Sequence, residues 1–147
     1  MSFYEKSNAL MLAAITLVYG VYFAMVLGVP LLSGGGFNTE IGLPMSNGLM
    51  IVTVIALIAI SVAGHILIAI FNRKDAGSQD ERDKLIEMRG DQRGGFVMAF
   101  GAVCAMGLAM LAMPHFWIVN MILGGLVLGE IVKAVSKLID YRRGVLA

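Results

Sequence analysis

The chain has 147 residues, of which 59% are hydrophobic and 14% charged, with a mean hydropathy of +0.84 and a net charge of +1. Charged residues alone make up about a quarter of an ordinary soluble domain, so this composition excludes one and points to an integral membrane protein. Since the charges nearly cancel, their positions are the informative feature.

Three apolar runs stand out: Asn8 to Leu32, Leu49 to Phe71, and Gly95 to Ile139 interrupted by Met113-Pro114-His115. A spanning helix needs ~20 residues, and the last run is about twice that, so it reads as two spans joined by a tight turn at Pro114. The expected fold is all-α: a bundle of four transmembrane helices over residues 8–32, 49–71, 95–113 and 116–139 in a single membrane domain.

The first span is too long for the ~7–15 apolar residues of a secretory signal, and no small-x-small site precedes a polar mature chain. It is expected to remain in the protein. Residues 33–48, SGGGFNTEIGLPMSNG, form an outer loop rich in turn formers. They read as a connector whose Ile41 and Leu43 dip into the interface, or as a lid or docking loop.

On the second span Ser61, His65 and Asn72 share one helical face. Residues 72–94 then form a charged loop holding six acids and six bases. Ser78 and Glu81 make a capping box that predicts a helix from about Gln79. Continued at ~100° per residue, that helix puts Asp80, Asp83, Glu87 and Asp91 on one stripe. Arg82, Arg89 and Arg93 fall opposite, flanked by Leu85 and Ile86. The acidic stripe is expected to look into the cytosol, and the arginine face to meet lipid phosphates or the floor of the bundle. With no net positive charge, the loop is not a polybasic lipid patch. It is either a self-paired connector that enforces topology or a docking surface. Gly90, Gly94 and Gly95 could bend the chain here or admit a close neighbour, so the helix either lies flat or extends the third span.

The segment D-E-R-D-x-x-I-E-x-R-G-D, from Asp80 to Asp91, precedes an apolar span, a Pro-His-Phe-Trp turn and a last span ending Tyr-Arg-Arg-Gly. With Ser2-Phe3 and Glu5-Lys6 at the start, this pattern resembles a family of small bacterial membrane proteins of unknown function. The resemblance implies a four-helix inner-membrane architecture and supplies no activity, cofactor or substrate.

The third span carries Gly101 and Ala105, a small-xxx-small pair, and the lone Cys104; the fourth carries a GxxxG at Gly125 and Gly129. Such motifs let helix backbones come close, here most simply within one hairpin, otherwise between subunits. One cysteine per chain gives neither an intramolecular disulfide nor a thiolate cluster. Glu130, Lys133 and Lys137 form a stripe on the fourth helix, with Glu130 expected at the depth of His65. A contact between these two could serve a proton or cation relay, or could fix helix register by hydrogen bonding. His65 and His115 would lie about a bilayer core, ~30 Å, apart and could not clamp one haem within a subunit. No nucleophile with a base, phosphate loop or convergent zinc ligands are visible. No catalytic role, metal or cofactor is expected.

The basic residues close the assignment. Lys6, six bases in the 72–94 loop, and Lys133, Lys137, Arg142 and Arg143 all fall on one side, and the two other connections have none. By the positive-inside rule both termini face the cytoplasm, with Trp117 at the outer interface and Tyr4 and Tyr141 at the inner one. The expectation is a non-catalytic accessory, assembly or regulatory subunit of a bacterial inner membrane. It would dock a membrane or cytoplasmic protein, or a second copy, through its charged loop, with no nucleic-acid partner. The alternative is a small proton or cation channel or transporter using His65 and Glu130.

Overall fold

A computed structural model describes residues 3–32, 43–71 and 81–143, and all four elements in them are α-helices. They are α1 (Phe3–Leu32), α2 (Leu43–Phe71), α3 (Glu81–Met110) and α4 (His115–Arg143). Three helical segments, Glu5–Gly28, Glu81–Met110 and His115–Arg143, are long and apolar enough to cross a membrane by length and composition.

Helix α2 begins at Leu43, so the last residues of the expected outer loop are its first turn. Pro44 sits in that turn, where its missing N–H would have had no intrahelical partner. Helix α3 begins fourteen residues before the apolar run that was expected to start at Gly95. Residues 81–94 of the charged segment thus continue the third helix without a break. The expected capping residue Ser78, with Gln79, Asp80 and Asn72, lies outside the described residues.

The turn between α3 and α4 is closed by its own backbone. Met113 N–H donates to Leu108 C=O and Ala112 N–H to Ala109 C=O, each at 3.0 Å, the two bonds of a Schellman helix end. Ala112 accordingly adopts φ 51°, a left-handed conformation usually given to glycine. Trp117 N–H then donates to Pro114 C=O at 3.0 Å and starts α4.

Helix α4 packs against α3 on one side and α1 on the other, and α2 packs against α1. No other pair packs along its length, so the helices follow one another in the order α2, α1, α4, α3. The apolar core lies between α1 and α4, where Ile15, Tyr19, Tyr22 and Val26 meet Phe116, Leu123 and Val127. One polar pair is buried within it. Tyr22 Oη donates to Asn120 Oδ1 at 3.0 Å, and Asn120 Nδ2 donates to Phe116 C=O at 2.9 Å. In lipid such a bond contributes about 1 kcal/mol, and it fixes the register of α1 on α4.

Candidate functional site

The α3–α4 seam is built from residues without side chains. A Cβ added to Gly101 would stand 2.6 Å from Gly125 Cα, and one added to Gly94 would stand 2.7 Å from Gly129 C=O. A Cβ on Gly129 would run into Met98, and one on Gly90 would meet the Lys137 stem at 2.6 Å. Gly90, Gly94, Gly101 and Ala105 are all buried, and Ile86 is fully so. The close approach therefore runs unbroken from the apolar span into the charged segment. Gly95, by contrast, faces open space.

Because the backbones meet there, the charges of α3 reach α4. Asp91 Oδ1 lies 3.0 Å from Lys133 Nζ and 3.1 Å from Lys137 Nζ. Glu87 lies 3.7 Å from Lys137, and the Asp83 carboxylate stands by the Tyr141 phenol in the same cavity wall. On the other flank Arg93 donates to Ser136 Oγ and to Asp140 Oδ2, the latter at 3.2 Å, and Arg82 donates to Tyr141 C=O at 3.3 Å. Arg89 is half-buried. Of the acidic stripe expected to look into the cytosol, Asp83, Glu87 and Asp91 lie beside α4, with Glu87 and Asp91 still about half exposed, and Asp80 lies outside the described residues. Gly90 and Gly94 put that flank at the seam, where Lys133 pairs with Asp91, and Lys137 with Asp91 and Glu87.

The level of the seam also places Glu130 within the hairpin. Gly94 abuts Gly129, so Glu130 stands level with Arg93 and Gly94, where the charged part of the hairpin gives way to the apolar part. It pairs with Lys133 at 3.9 Å along its own helix. Ser61 and His65 are carried by α2, which packs on α1, and α1 stands between them and α4. The arrangement does not assemble Ser61, Glu130 and Lys133 into one cluster; the His65 side chain lies outside the described residues. Among the described residues no group of three or more His, Cys, Asp or Glu is placed to hold a metal ion.

Asp91 and Tyr141 lie on the charged side of this boundary. Partial burial pushes the Asp91 carboxyl up, but hydrogen bonds and charge from Lys133 and Lys137 together outweigh it and hold the group below its ordinary value. Burial, then the negative charge of Asp83, pushes the Tyr141 phenol up, so it stays a neutral donor at physiological pH.

Two cavities flank α4 on its α1 side. One, of about 430 Å³, runs between the helices past Tyr19, Gly20, Phe23, Trp117 and Gly124 to Ile131 and is almost wholly apolar. The second, of about 220 Å³, lies at the charged end among Ser7, Asn8, Asp83, Glu130, Lys133 and Tyr141. Ile15 lines both, so they adjoin. Asn8 Nδ2 donates to Ala134 C=O at 2.7 Å and ties the start of α1 to this end of α4.

The outward face of α3 has no helix against it. Leu85, Met88, Phe96, Val103, Met106 and Met110 are all exposed at three- and four-residue steps and about seven over two turns. Within the span this is what lipid-facing residues do. Leu85 and Met88, 42% and 62% exposed, lie before Arg93 in the charged segment. Sequence reasoning missed this stripe because Leu85 was grouped with the arginines by angle alone. It also missed Tyr22 and Asn120, whose only signal is a lone amide inside an apolar run.

No protein-family model, curated protein or solved structure matches the chain.

Proposed function

We propose that the protein is a non-catalytic subunit of a bacterial inner membrane that crosses it four times, with both termini cytoplasmic. It acts as an accessory or assembly element for a protein partner. The docking surface is the outward edge of the charged part of α3, and the carboxylates of that helix serve its attachment to α4. Exposure of Leu85 and Met88 below the apolar span carries this reading. Arg93 marks the inner edge of that span, and Met88 and Leu85 stand five and eight residues before it. At 1.5 Å per residue that is roughly 8 and 12 Å beyond the hydrocarbon, where lipid tails cannot cover apolar side chains. Glu81 and Lys84 beside them are exposed as well, so the edge offers a short apolar strip with a charge of each sign at its margin.

The competing reading, a proton or cation path through His65 and Glu130, needs polar groups from α2 and α4 on one route. Helix α1 lies between those helices, which favours docking over conduction.

Purification from native membranes in mild detergent tests the proposal. The unaltered chain should bring a stoichiometric protein with it, and Leu85→Glu with Met88→Glu should lose that protein while the chain itself accumulates normally. Retention of the partner by the double variant would place docking elsewhere.

A further inference from the structure

The two adjoining cavities on the α1 side of α4 have the proportions of one ligand with two unlike ends. The apolar cavity extends along α4 from Ile131 to Trp117, fourteen residues or ~21 Å at the rise of a helix. One leaflet of a bilayer contributes ~15 Å of hydrocarbon, so a single acyl chain lies within that length. The groove exists because Gly20 and Gly124 put no side chain into it. A Cβ at Gly20 would meet nothing within 4 Å, and one at Gly124 only Phe23 Cζ at 3.9 Å. It opens sideways past the exposed Thr16, Gly20 and Leu128. A tail can therefore enter from the membrane.

At its charged end the groove continues into the polar cavity, whose walls carry both signs. Asp83, Glu87 and Glu130 stand against Lys133 and Lys137, three carboxylates to two ammonium groups. A purely anionic headgroup meets a surplus of its own charge there. Glu130 adjoins Ile131, where the apolar groove ends, and has unspent capacity. Among the described residues its one ion pair is to Lys133 at 3.9 Å, too long for a hydrogen bond, and its side chain is 39% exposed. Each lysine ammonium has three protons; Asp91 accepts from both at hydrogen-bond distance while Glu130 and Glu87 stand farther off, at 3.9 and 3.7 Å, so each lysine can also donate to a phosphate oxygen. A headgroup carrying a phosphate and a terminal primary ammonium complements this wall on both counts.

We propose that the chain holds one phospholipid of the phosphatidylethanolamine class, with its ammonium at Glu130, its phosphate at Lys133 and Lys137, and one acyl chain along the α1–α4 groove. The site faces away from the docking edge of α3 and stands independently of any protein partner.

Trp117 is the one tryptophan of the chain and lines the far end of the groove, so bromines on the terminal carbons of the tail come nearest to it. The full-length protein is placed in phosphatidylcholine vesicles containing a minor fraction of tail-brominated lipid, and quenching of Trp117 is measured. Brominated phosphatidylethanolamine should quench at roughly tenfold lower mole fraction than brominated phosphatidylglycerol, the discrimination of about one charge-assisted hydrogen bond. Glu130→Gln, which leaves the groove untouched, should remove the preference. Gly124→Leu, and separately Gly20→Leu, should remove the high-affinity phase for both lipids. Equal quenching by the two lipids, a preference for phosphatidylglycerol, or a preference that survives Glu130→Gln would overturn the proposal.

Discussion

Ala112 shows how a single residue marks the end of a helix. Its φ of 51° puts a Cβ where L residues pay a steric cost, and the two Schellman bonds hold it there. Relieving that cost should help the fold: Ala112→Gly is expected to raise stability by about 1 kcal/mol, read as a higher melting temperature in detergent. Residue identity alone announced neither the turn conformation nor the Tyr22–Asn120 bond, because both depend on which helices meet. Pro114 did announce the break, since a proline after a long apolar run has few other places to sit. Glycines were legible as small and ambiguous in use. Gly94 is buried against α4 and Gly95 beside it is exposed, a distinction set by which face the neighbouring helix covers.

At the scale of the element, α3 and α4 form a hairpin whose charged ends are zipped as closely as its apolar ends. The sequence periodicity placed Asp83, Glu87 and Asp91 on one stripe, and they do share a flank. The direction of that stripe was not legible, because a stripe of acids suits solvent and a lysine-bearing helix equally well. The structure supplies the lysines. Asp91 is about half exposed, so its pairs are screened, and Asp91→Asn should cost about 1 kcal/mol or less. The charge swap of Asp91→Lys with Lys133→Asp should recover most of the loss caused by Asp91→Lys alone.

The pH dependence of the hairpin has a definite sign. The folded carboxyl of Asp91 titrates below its unfolded value, so its contribution is present above the ordinary aspartate range, about pH 3.9. It is lost as the pH falls through the folded value. Melting of the unaltered protein should therefore change little on this account from about pH 8 to about pH 5 and decline below that range. Asp91→Asn should show a shallower decline, and an identical acid limb in both proteins would remove Asp91 from the clamp.

Across the whole molecule, four helices were legible because length and hydropathy suffice to find apolar helices, but the start of α3 was not, because its first fourteen residues are mostly charged and carry no hydropathy signal. Nor was the order of the helices. Within the spans each helix is apolar nearly all round, so no single face declares a neighbour, and the sequence of contacts α2, α1, α4, α3 had no earlier sign. The same property leaves α2 dependent on α1 for packing, with Ile51, Ile55, Ile58 and Val62 exposed along it. The proposed topology makes its own prediction. In a Cys104→Ala background, a cysteine at Leu111 should react with a membrane-impermeant maleimide on intact cells, and one at Lys84 only after the membrane is broken. The reverse pattern would invert the molecule, and with it the side on which a partner is sought.

In the proposed arrangement α3 holds α4 with one edge and a protein partner with the other. Photo-crosslinking in native membranes tests it most directly, with the reactive side chain placed at Met88 on the outward edge and, as a control, at Phe96 within the span. The account predicts a discrete protein adduct from Met88, either with another protein or with a second copy of the chain. Lipid adducts alone from Met88, as in any lipid-facing residue, would contradict it.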